Sequence, residues 1–110
     1  MNSLCVHPPV VQINVTATAT AIRIEICGEV DLSDRNTLIA ALAAIDLDAA
    51  DAVNLDLRQL TFCDSAGCWA LLMFERRARL SGHPTNIYGA TRTVQRVMTI
   101  LADSDPPTFV

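Results

Sequence analysis

The stretch VNLDLRQLTFCDSAGCWALL, residues 53–72, contains the change of periodicity that decides the fold. Its first five residues alternate apolar and polar side chains, which predicts a β-strand with one buried face. Residues 58–62 then form a short link. Asp64 or Ser65 begins a predicted helix that runs to about Leu80. The stretch therefore predicts a strand, a link and a long helix in direct succession.

Further strands and helices are predicted on both sides of this stretch. Period-two alternation covers residues 11–15 and 22–26, and a shorter strand candidate lies around residues 86–88. Apolar residues recur at helical spacing over residues 38–45 and 94–101. Polar residues alternate with apolar ones along the strands, so one face of the sheet should be covered and the other largely open. The order predicts a small two-layer α/β domain with about four strands and about three helices mainly on one face.

Composition favours one folded domain. Hydrophobic residues make up 51% of the 110 residues and charged residues 18%, which is typical of a chain with a substantial core. We expect a single domain over residues 1–110, with an irregular N-terminal arm at 1–9 and an irregular tail at 103–110.

Charge and hydropathy limit the possible partners and compartments. The net charge is −4, and the eight basic residues, all arginines, form no cluster beyond one helix face, so we expect no nucleic-acid partner. No segment approaches the roughly 20 apolar residues of a membrane helix. The N-terminal region lacks the basic start and continuous apolar run of a signal peptide. These features predict a cytoplasmic protein that does not associate with membranes.

Ser65 has no sequence partners for autonomous nucleophilic catalysis. A serine nucleophile needs a base, and the chain has only His7, in a proline-rich arm, and His83, in a turn, where solvated loop histidines are expected. The G-x-S-x-G elbow is also absent. We therefore predict no catalytic residue, no enzyme activity and no cofactor. At the positive end of a helix, Ser65 can instead accept a phosphoryl group from a separate kinase.

Gly67 is unexpected in the first turn of a helix. With Asp64 as N-cap, Gly67 occupies the third helical position, where glycine costs roughly 0.5–1 kcal/mol relative to alanine. Its presence predicts a close approach to the backbone by a neighbouring loop, an anion or a binding partner.

Two motifs resemble those of the STAS domain family, the anti-sigma factor antagonists. The stretch at 53–72 is similar to the family signature of a buried strand, a short link and D-S-[ST]-G-L. ICGEVDLSDRNTL, residues 26–38, resembles its second marker, a strand ending in Gly-x-[Leu/Val]-Asp before a helix. The resemblance covers residues from about 10 to 102 and implies a small mixed sheet flanked by helices. Ala66 stands where many members have serine or threonine, which leaves Ser65 as the motif's one hydroxyl.

The resemblance also implies a function. Family members typically bind an anti-sigma factor with a serine-kinase-like fold, which frees a sigma factor, and the kinase ends the binding by phosphorylating the serine after the motif aspartate. Carried over, the phosphorylated residue is Ser65, and the partner-binding residues are Asp31, Asp64, Ser65, Ala66 and Gly67. Asp31 either flanks Ser65 or is a cap or turn residue before the first helix. We expect a monomer when the chain is free.

The cysteines leave a second hypothesis open. The spacing of Cys5, Cys27, Cys63 and Cys68 is not that of a zinc site, so no metal is predicted. Cys63 and Cys68 are interpreted in one of two ways. They are small core residues, or they are redox candidates together with Cys27. Cys27 falls on the sheet face opposite the isoleucines, which predicts exposure. The alternatives to a sigma-factor regulator are thus a thiol-based redox sensor or enzyme, and a STAS scaffold or ligand-binding module unrelated to sigma factors.

Overall fold

The computed structural model describes residues 11–110, and this part of the chain forms a six-stranded sheet with three α-helices. In chain order the elements are β1 (Gln12–Ala17), β2 (Ala21–Val30), α1 (Arg35–Ala43), β3 (Ala52–Asp56), β4 (Leu60–Cys63), α2 (Ser65–Leu80), β5 (Thr85–Tyr88), α3 (Arg92–Ala102) and β6 (Thr108–Phe109), with a short 3₁₀ turn at Leu47–Ala49 before β3. The predicted two-layer α/β class is confirmed, and the strands number six instead of about four. The arm at 1–9 lies outside the described residues.

The sheet is mixed, and β2 is its longest strand. β1 and β2 form an antiparallel hairpin, while the remaining pairs are parallel, in the order β1-β2-β3-β5-β6. β3 and β4 pair with successive stretches of β2, first residues 21–25 and then 28–30. The register shifts between Gly28 and Glu29, and Gly28 has a φ of 97°, a conformation that glycine adopts without strain. The bulge lets β2 continue past β3 and pair with β4.

The core lies between the helices and one face of the sheet. Ile22, Ile24 and Ile26 of β2 are almost completely buried, as the period-two pattern predicts, and each such side chain contributes roughly 1.5–3 kcal/mol through burial. α2 is the central helix and contacts both α1 and α3. Among the described residues, no helix is long and apolar enough to cross a membrane.

The second face of the sheet is less open than the sequence predicts. Asp56 is buried there, and its carboxylate accepts hydrogen bonds from Arg58 Nε at 3.0 Å and from the Arg23 guanidinium. Burial alone would raise the pKa of the Asp56 carboxyl, but Arg58 and Arg23 lower it to about 2. Alternating polar residues therefore form an ion-paired cluster in which the carboxylate is buried and the two arginines remain partly exposed.

Two segments predicted as irregular form short strands. The link at 58–62 becomes most of β4, which pairs with β2 beyond the bulge. The tail at 103–110 contains β6, which pairs with β5, and the Val110 N–H donates to Ile87 O at 2.8 Å. Both strands are too short to show a periodicity, so only their pairing reveals them.

Candidate functional site

The parallel pairing of β2 and β4 brings the two sequence motifs together. Val30 and Cys63 are register partners at the ends of these strands. The Asp64 N–H donates to Val30 O at 3.0 Å. Because parallel strands leave the sheet at the same edge, Asp31 and Asp64 emerge side by side. Residues separated by more than thirty positions thus form one surface.

Asp64 caps α2 and leaves Ser65 available. The Asp64 carboxylate accepts the Gly67 N–H at 2.8 Å, as the sequence predicts. Ser65 is the first helical residue and is exposed. Its hydroxyl makes no hydrogen bond to the part of the chain that is described. The free N–H groups at this end of the helix favour a negative charge close to Ser65.

Gly67 is buried, and the close neighbour predicted from its position is the sheet itself. A Cβ added to Gly67 would lie 2.6 Å from Cys63 Sγ and 2.7 Å from Val30 Cγ1. The first turn of α2 can therefore pack against β2 and β4 only because this residue lacks a side chain. Gly67 positions Ser65 and does not itself offer a contact surface.

Asp31 is both a neighbour of the α2 N-terminus and a turn residue. It is exposed, and its carboxylate accepts hydrogen bonds from the Ser33 hydroxyl at 2.7 Å and the Ser33 N–H at 2.9 Å. The hydroxyl first, and then the backbone N–H, lowers the pKa of the Asp31 carboxyl. Asp31 therefore places a fixed negative charge at the same sheet edge as Asp64.

An exposed apolar rim belongs to this part of the molecule, and the sequence motifs do not reveal it. Leu32 and Phe62 lie next to the paired strand ends and are 70% and 50% exposed. Ile39 and Trp69 are each 46% exposed and line, with Arg35 and Ser65, a cavity of about 330 Å³. We call Leu32, Ile39, Phe62 and Trp69 the apolar rim. The available sequence signal was Trp69, which falls out of phase with the buried Cys68, Leu71 and Leu72.

The structure places no histidine near Ser65 within residues 11–110. His83 follows the far end of α2, whose 16 residues separate its ends by roughly 24 Å at about 1.5 Å per residue. The expectation of a solvated His83 is wrong: its side chain is buried, with Nε2 3.5 Å from Asp48 Oδ1. His7 lies outside the described residues. Ser65 therefore has no imidazole base among the residues described.

The cysteines differ in environment. Cys27 is completely buried, contrary to its predicted exposure, because the centre of the second sheet face is covered, as the neighbouring Glu25 also shows. Cys27 is disulfide-bonded, and the free thiols in the described part of the chain are Cys63 and Cys68. In the same residues no group of three or more His, Cys, Asp or Glu side chains is arranged to hold a metal ion.

Comparison of the sequence with models of known protein families identifies the family to which these motifs belong. The family model described as "Mlab, STAS domain" matches residues 13–102, which include both strand ends and all three helices. The chain belongs to the STAS domain family. No curated protein sequence matches the chain.

Solved structures of anti-sigma factor antagonists share the fold at low identity. An anti-sigma factor antagonist from Mycobacterium paratuberculosis superposes with a TM-score of 0.73 at 20% identity, covering 94% of this chain and 90% of that one. The antagonist SpoIIAA in its unphosphorylated form gives a TM-score of 0.68 at 20% identity, over 92% and 87% of the two chains. Phosphorylated SpoIIAA, a cell fate determinant of Bacillus, gives 0.66 at 20% identity, over 92% and 91%. At this identity the likeness establishes the fold.

Proposed function

We propose that this STAS domain is an anti-sigma factor antagonist that acts by binding and not by turnover. It binds an anti-sigma factor with a serine-kinase-like fold, which releases a sigma factor, and phosphorylation of Ser65 ends the binding. In this proposal the chain is a single cytoplasmic domain, monomeric when free, whose contact surface comprises Asp31, Asp64, Ser65 and Ala66, with Gly67 beneath them. A second level of control acts through the thiols that flank Ser65.

One observation carries the proposal: the exposed Ser65 hydroxyl makes no hydrogen bond to residues 11–110 and lies at the capped N-terminus of α2, beside the apolar rim. Monomeric proteins rarely expose several large apolar side chains together unless the surface binds something. The four residues of the apolar rim give a partner apolar area to bury around the hydroxyl. The same hydroxyl would then be covered by the partner and be within reach of a kinase site.

Charge explains how phosphorylation would end the binding. A phosphate adds about −1.5 to −2 charges at pH 7. In the free domain the α2 N-terminus and solvent accommodate this charge. In the complex the phosphate would be desolvated next to the carboxylates of Asp31 and Asp64. Phosphorylation would therefore raise the free energy of the complex more than that of the free domain. The free domain therefore stays folded while its affinity drops.

The test compares two serines at opposite ends of α2. Tagged wild-type chain, Ser65→Ala and Ser65→Glu are used to capture partners from a lysate of the source cells, with Ser81→Ala and Ser81→Glu as matched controls. We expect wild type and both Ser81 variants to retain a kinase-fold protein, and Ser65→Glu to lose it. Incubation of the captured partner with ATP should phosphorylate wild type at Ser65 and leave Ser65→Ala unmodified.

Three outcomes would contradict the proposal. Equal capture by Ser65→Glu and wild type would show that Ser65 lies outside the contact surface. Capture of a partner without a kinase fold would favour a STAS scaffold unrelated to sigma factors. Loss of function in Cys63→Ser with a harmless Ser65→Ala would instead indicate a thiol-based sensor or enzyme.

A further inference from the structure

Cys63 and Cys68 flank the proposed site in the sequence and lie close together in the structure. Cys63 is the last residue of β4, and Cys68 lies in the first two turns of α2. The four residues between them, 64–67, contain the N-cap, Ser65 and the buried glycine. Any bond between the two sulfurs would therefore close a small ring around the proposed phosphorylation site.

The Cys68 thiol already contacts Cys63. Its Sγ donates a hydrogen bond to the backbone carbonyl oxygen of Cys63 at 3.8 Å. Gly67 makes this possible, since the position of its missing Cβ lies 2.6 Å from Cys63 Sγ. The Cys63 side chain thus points into the first turn of α2 and towards the second thiol.

The backbone holds both cysteines in this arrangement. The Asp64 N–H donates to Val30 O at 3.0 Å, and the Cys68 N–H donates to Asp64 O at 2.9 Å. A disulfide needs closely placed side chains, and these two backbone hydrogen bonds hold Cys63 and Cys68 in one tight turn. The neighbouring thiol raises the pKa of Cys63 and lowers that of Cys68, so oxidation of the accessible Cys63 is the slow step and Cys68 more readily supplies the thiolate that resolves the product.

We propose that Cys63 and Cys68 form a disulfide when the protein meets a hydroperoxide, and that this bond slows phosphorylation of Ser65. The regulatory part rests on the proposed function, whereas formation of the bond does not. Cys63 is partly exposed and Cys68 is completely buried. Cys63 is therefore the thiol that the oxidant reaches, and Cys68 is the thiol that resolves the product.

The chemistry balances with hydrogen peroxide as the oxidant. The Cys63 sulfur attacks one peroxide oxygen, the O–O bond breaks, and the products are a sulfenic acid and one water. The Cys68 sulfur then attacks the sulfenic sulfur, forms the S–S bond and expels the hydroxyl as a second water. Two thiols are oxidised by two electrons, and one peroxide is reduced to two waters.

The bond would restrict the turn that presents Ser65 to a kinase. To react, the Ser65 hydroxyl must be aligned with a phosphoryl group in another protein, and we expect the turn at 64–67 to adapt to the kinase site during this alignment. A sulfur bridge across that turn opposes this adaptation. Because small misplacements of reacting groups are costly, we expect phosphorylation to slow by about tenfold or more.

The bond itself can be tested without any partner. Trypsin cleaves after Arg58 and Arg76, so peptide 59–76 contains Cys63 and Cys68 and neither of the other two cysteines. The intact chain is treated with hydrogen peroxide, alkylated and digested with trypsin, and the peptide masses are measured by mass spectrometry. We expect this peptide to lose two hydrogens and to take up no alkyl group, while the reduced peptide takes up two. Cys63→Ser and Cys68→Ser should each prevent the loss.

Amide hydrogen exchange and a kinase assay complete the experiment. In the oxidised chain, exchange at Gly67 and Cys68 should slow by about tenfold or more, because opening of the turn is opposed. A wild-type peptide that remains alkylatable, or that carries only sulfinic acid, would overturn the proposal. So would equal phosphorylation of Ser65 in the oxidised and reduced chains. Absence of phosphorylation in both states, with the bond formed and exchange slowed, would count against the proposed function alone.

Discussion

At the scale of single residues, the site depends on what Gly67 lacks. Its backbone lies so close to Cys63 Sγ and Val30 Cγ1 that a methyl group would overlap both atoms. The cost of glycine within a helix is thus offset by the packing of the first turn of α2 against two strand ends. The same contact directs the Cys63 thiol towards Cys68 and leaves Ser65 on the outside.

Gly67→Ala should therefore destabilise the fold although alanine is the better helix former. Overpacking costs about 1–3 kcal/mol and helix propensity returns about 1 kcal/mol. Because the added methyl group would overlap two atoms, we expect the upper part of the cost and a net loss of up to about 2 kcal/mol in the free energy of unfolding. Urea denaturation measures it. In a Cys63→Ala background, where one of the two overlapping atoms is gone, the same change should cost clearly less. A gain in stability from Gly67→Ala alone would show that the close contact is not limiting.

At the scale of elements, the three helices begin in different ways. The carboxylate of Asp64 caps α2 by accepting the Gly67 N–H, and the hydroxyl of Thr91 caps α3 by accepting the Val94 N–H at 3.2 Å. Asp34 precedes α1 without a side-chain cap hydrogen bond; its carboxylate accepts the Asp31 N–H instead. α2 and α3 are therefore fixed at their N-termini by their own caps, and α1 is fixed through its turn.

This difference predicts the order of three alanine substitutions. Asp64→Ala and Thr91→Ala should each lower the free energy of unfolding by about 1 kcal/mol, because each leaves a helix N–H without its acceptor. Asp34→Ala should cost less than about 0.5 kcal/mol, because no N–H of its own helix loses a partner. Chemical denaturation of the three variants is the measurement. If Asp34→Ala proved as costly as Asp64→Ala, the caps would not explain the anchoring of α2.

The periodicity of apolar residues predicts long helices and strands better than short ones. β1, β2, β3, β5 and all three helices follow from alternation or helical spacing, and the capped helix start at Asp64 follows from residue type alone. β4 and β6 could not be predicted, because a strand of four or two residues is defined by the partner it meets. The proximity of Asp31 to Asp64 could be expected only through the family resemblance. The apolar rim and the thiol contact depend on tertiary packing, which no local pattern encodes.

At the scale of the whole molecule, charged pairs connect distant parts of the chain. Asp56 joins the end of β3 to Arg23 of β2 on the sheet face away from the helices. Arg79 joins Glu75 of α2 to Asp105 in the segment before β6. Both clusters include a carboxylate that is almost completely buried, so removing a cation should cost more than at an exposed ion pair.

The Asp56 cluster predicts a dependence of stability on pH. The pKa of the folded Asp56 carboxyl is about 2, below its ordinary value of 3.8. Its contribution is therefore present above about pH 4 and is lost as the pH falls through 2. A shift of this size corresponds to about 2 kcal/mol, so Asp56→Asn should lower the free energy of unfolding at pH 7 by about that amount. The variant should also show a shallower fall between pH 4 and 2.

Denaturation of wild type and Asp56→Asn across this range measures both effects. Asp51→Asn, which removes an exposed carboxylate in the same chain, is the matched control and should change neither. Parallel pH profiles for wild type and Asp56→Asn would show that the arginines do not stabilise the ionised carboxylate.

The Arg79 cluster gives the strongest expected effect, because the Glu75 side chain is completely buried. Arg79 Nε donates to Glu75 Oε2 at 2.8 Å, and the partnership with Glu75, followed by that with Asp105, raises the pKa of Arg79. Arg79→Leu would leave a buried carboxylate without its cation, which costs about 3–5 kcal/mol. The double variant Glu75→Leu/Arg79→Leu should recover most of this loss, since a packed apolar pair needs no counter-charge.

Four proteins, measured by urea denaturation, distinguish a buried pair from ordinary loss of a surface arginine: wild type, Arg79→Leu, the double variant and Arg96→Leu. Arg96 is exposed on α3 and forms no ion pair within the described residues, so its replacement should cost less than about 0.5 kcal/mol. Hydrogen exchange at Val110, whose N–H bonds to Ile87, should also accelerate in Arg79→Leu, because Asp105 loses one of its two ion pairs with α2 just before β6 and keeps only that with Arg76. A double variant no more stable than Arg79→Leu would mean that the guanidinium acts through Asp105 and not by neutralising Glu75.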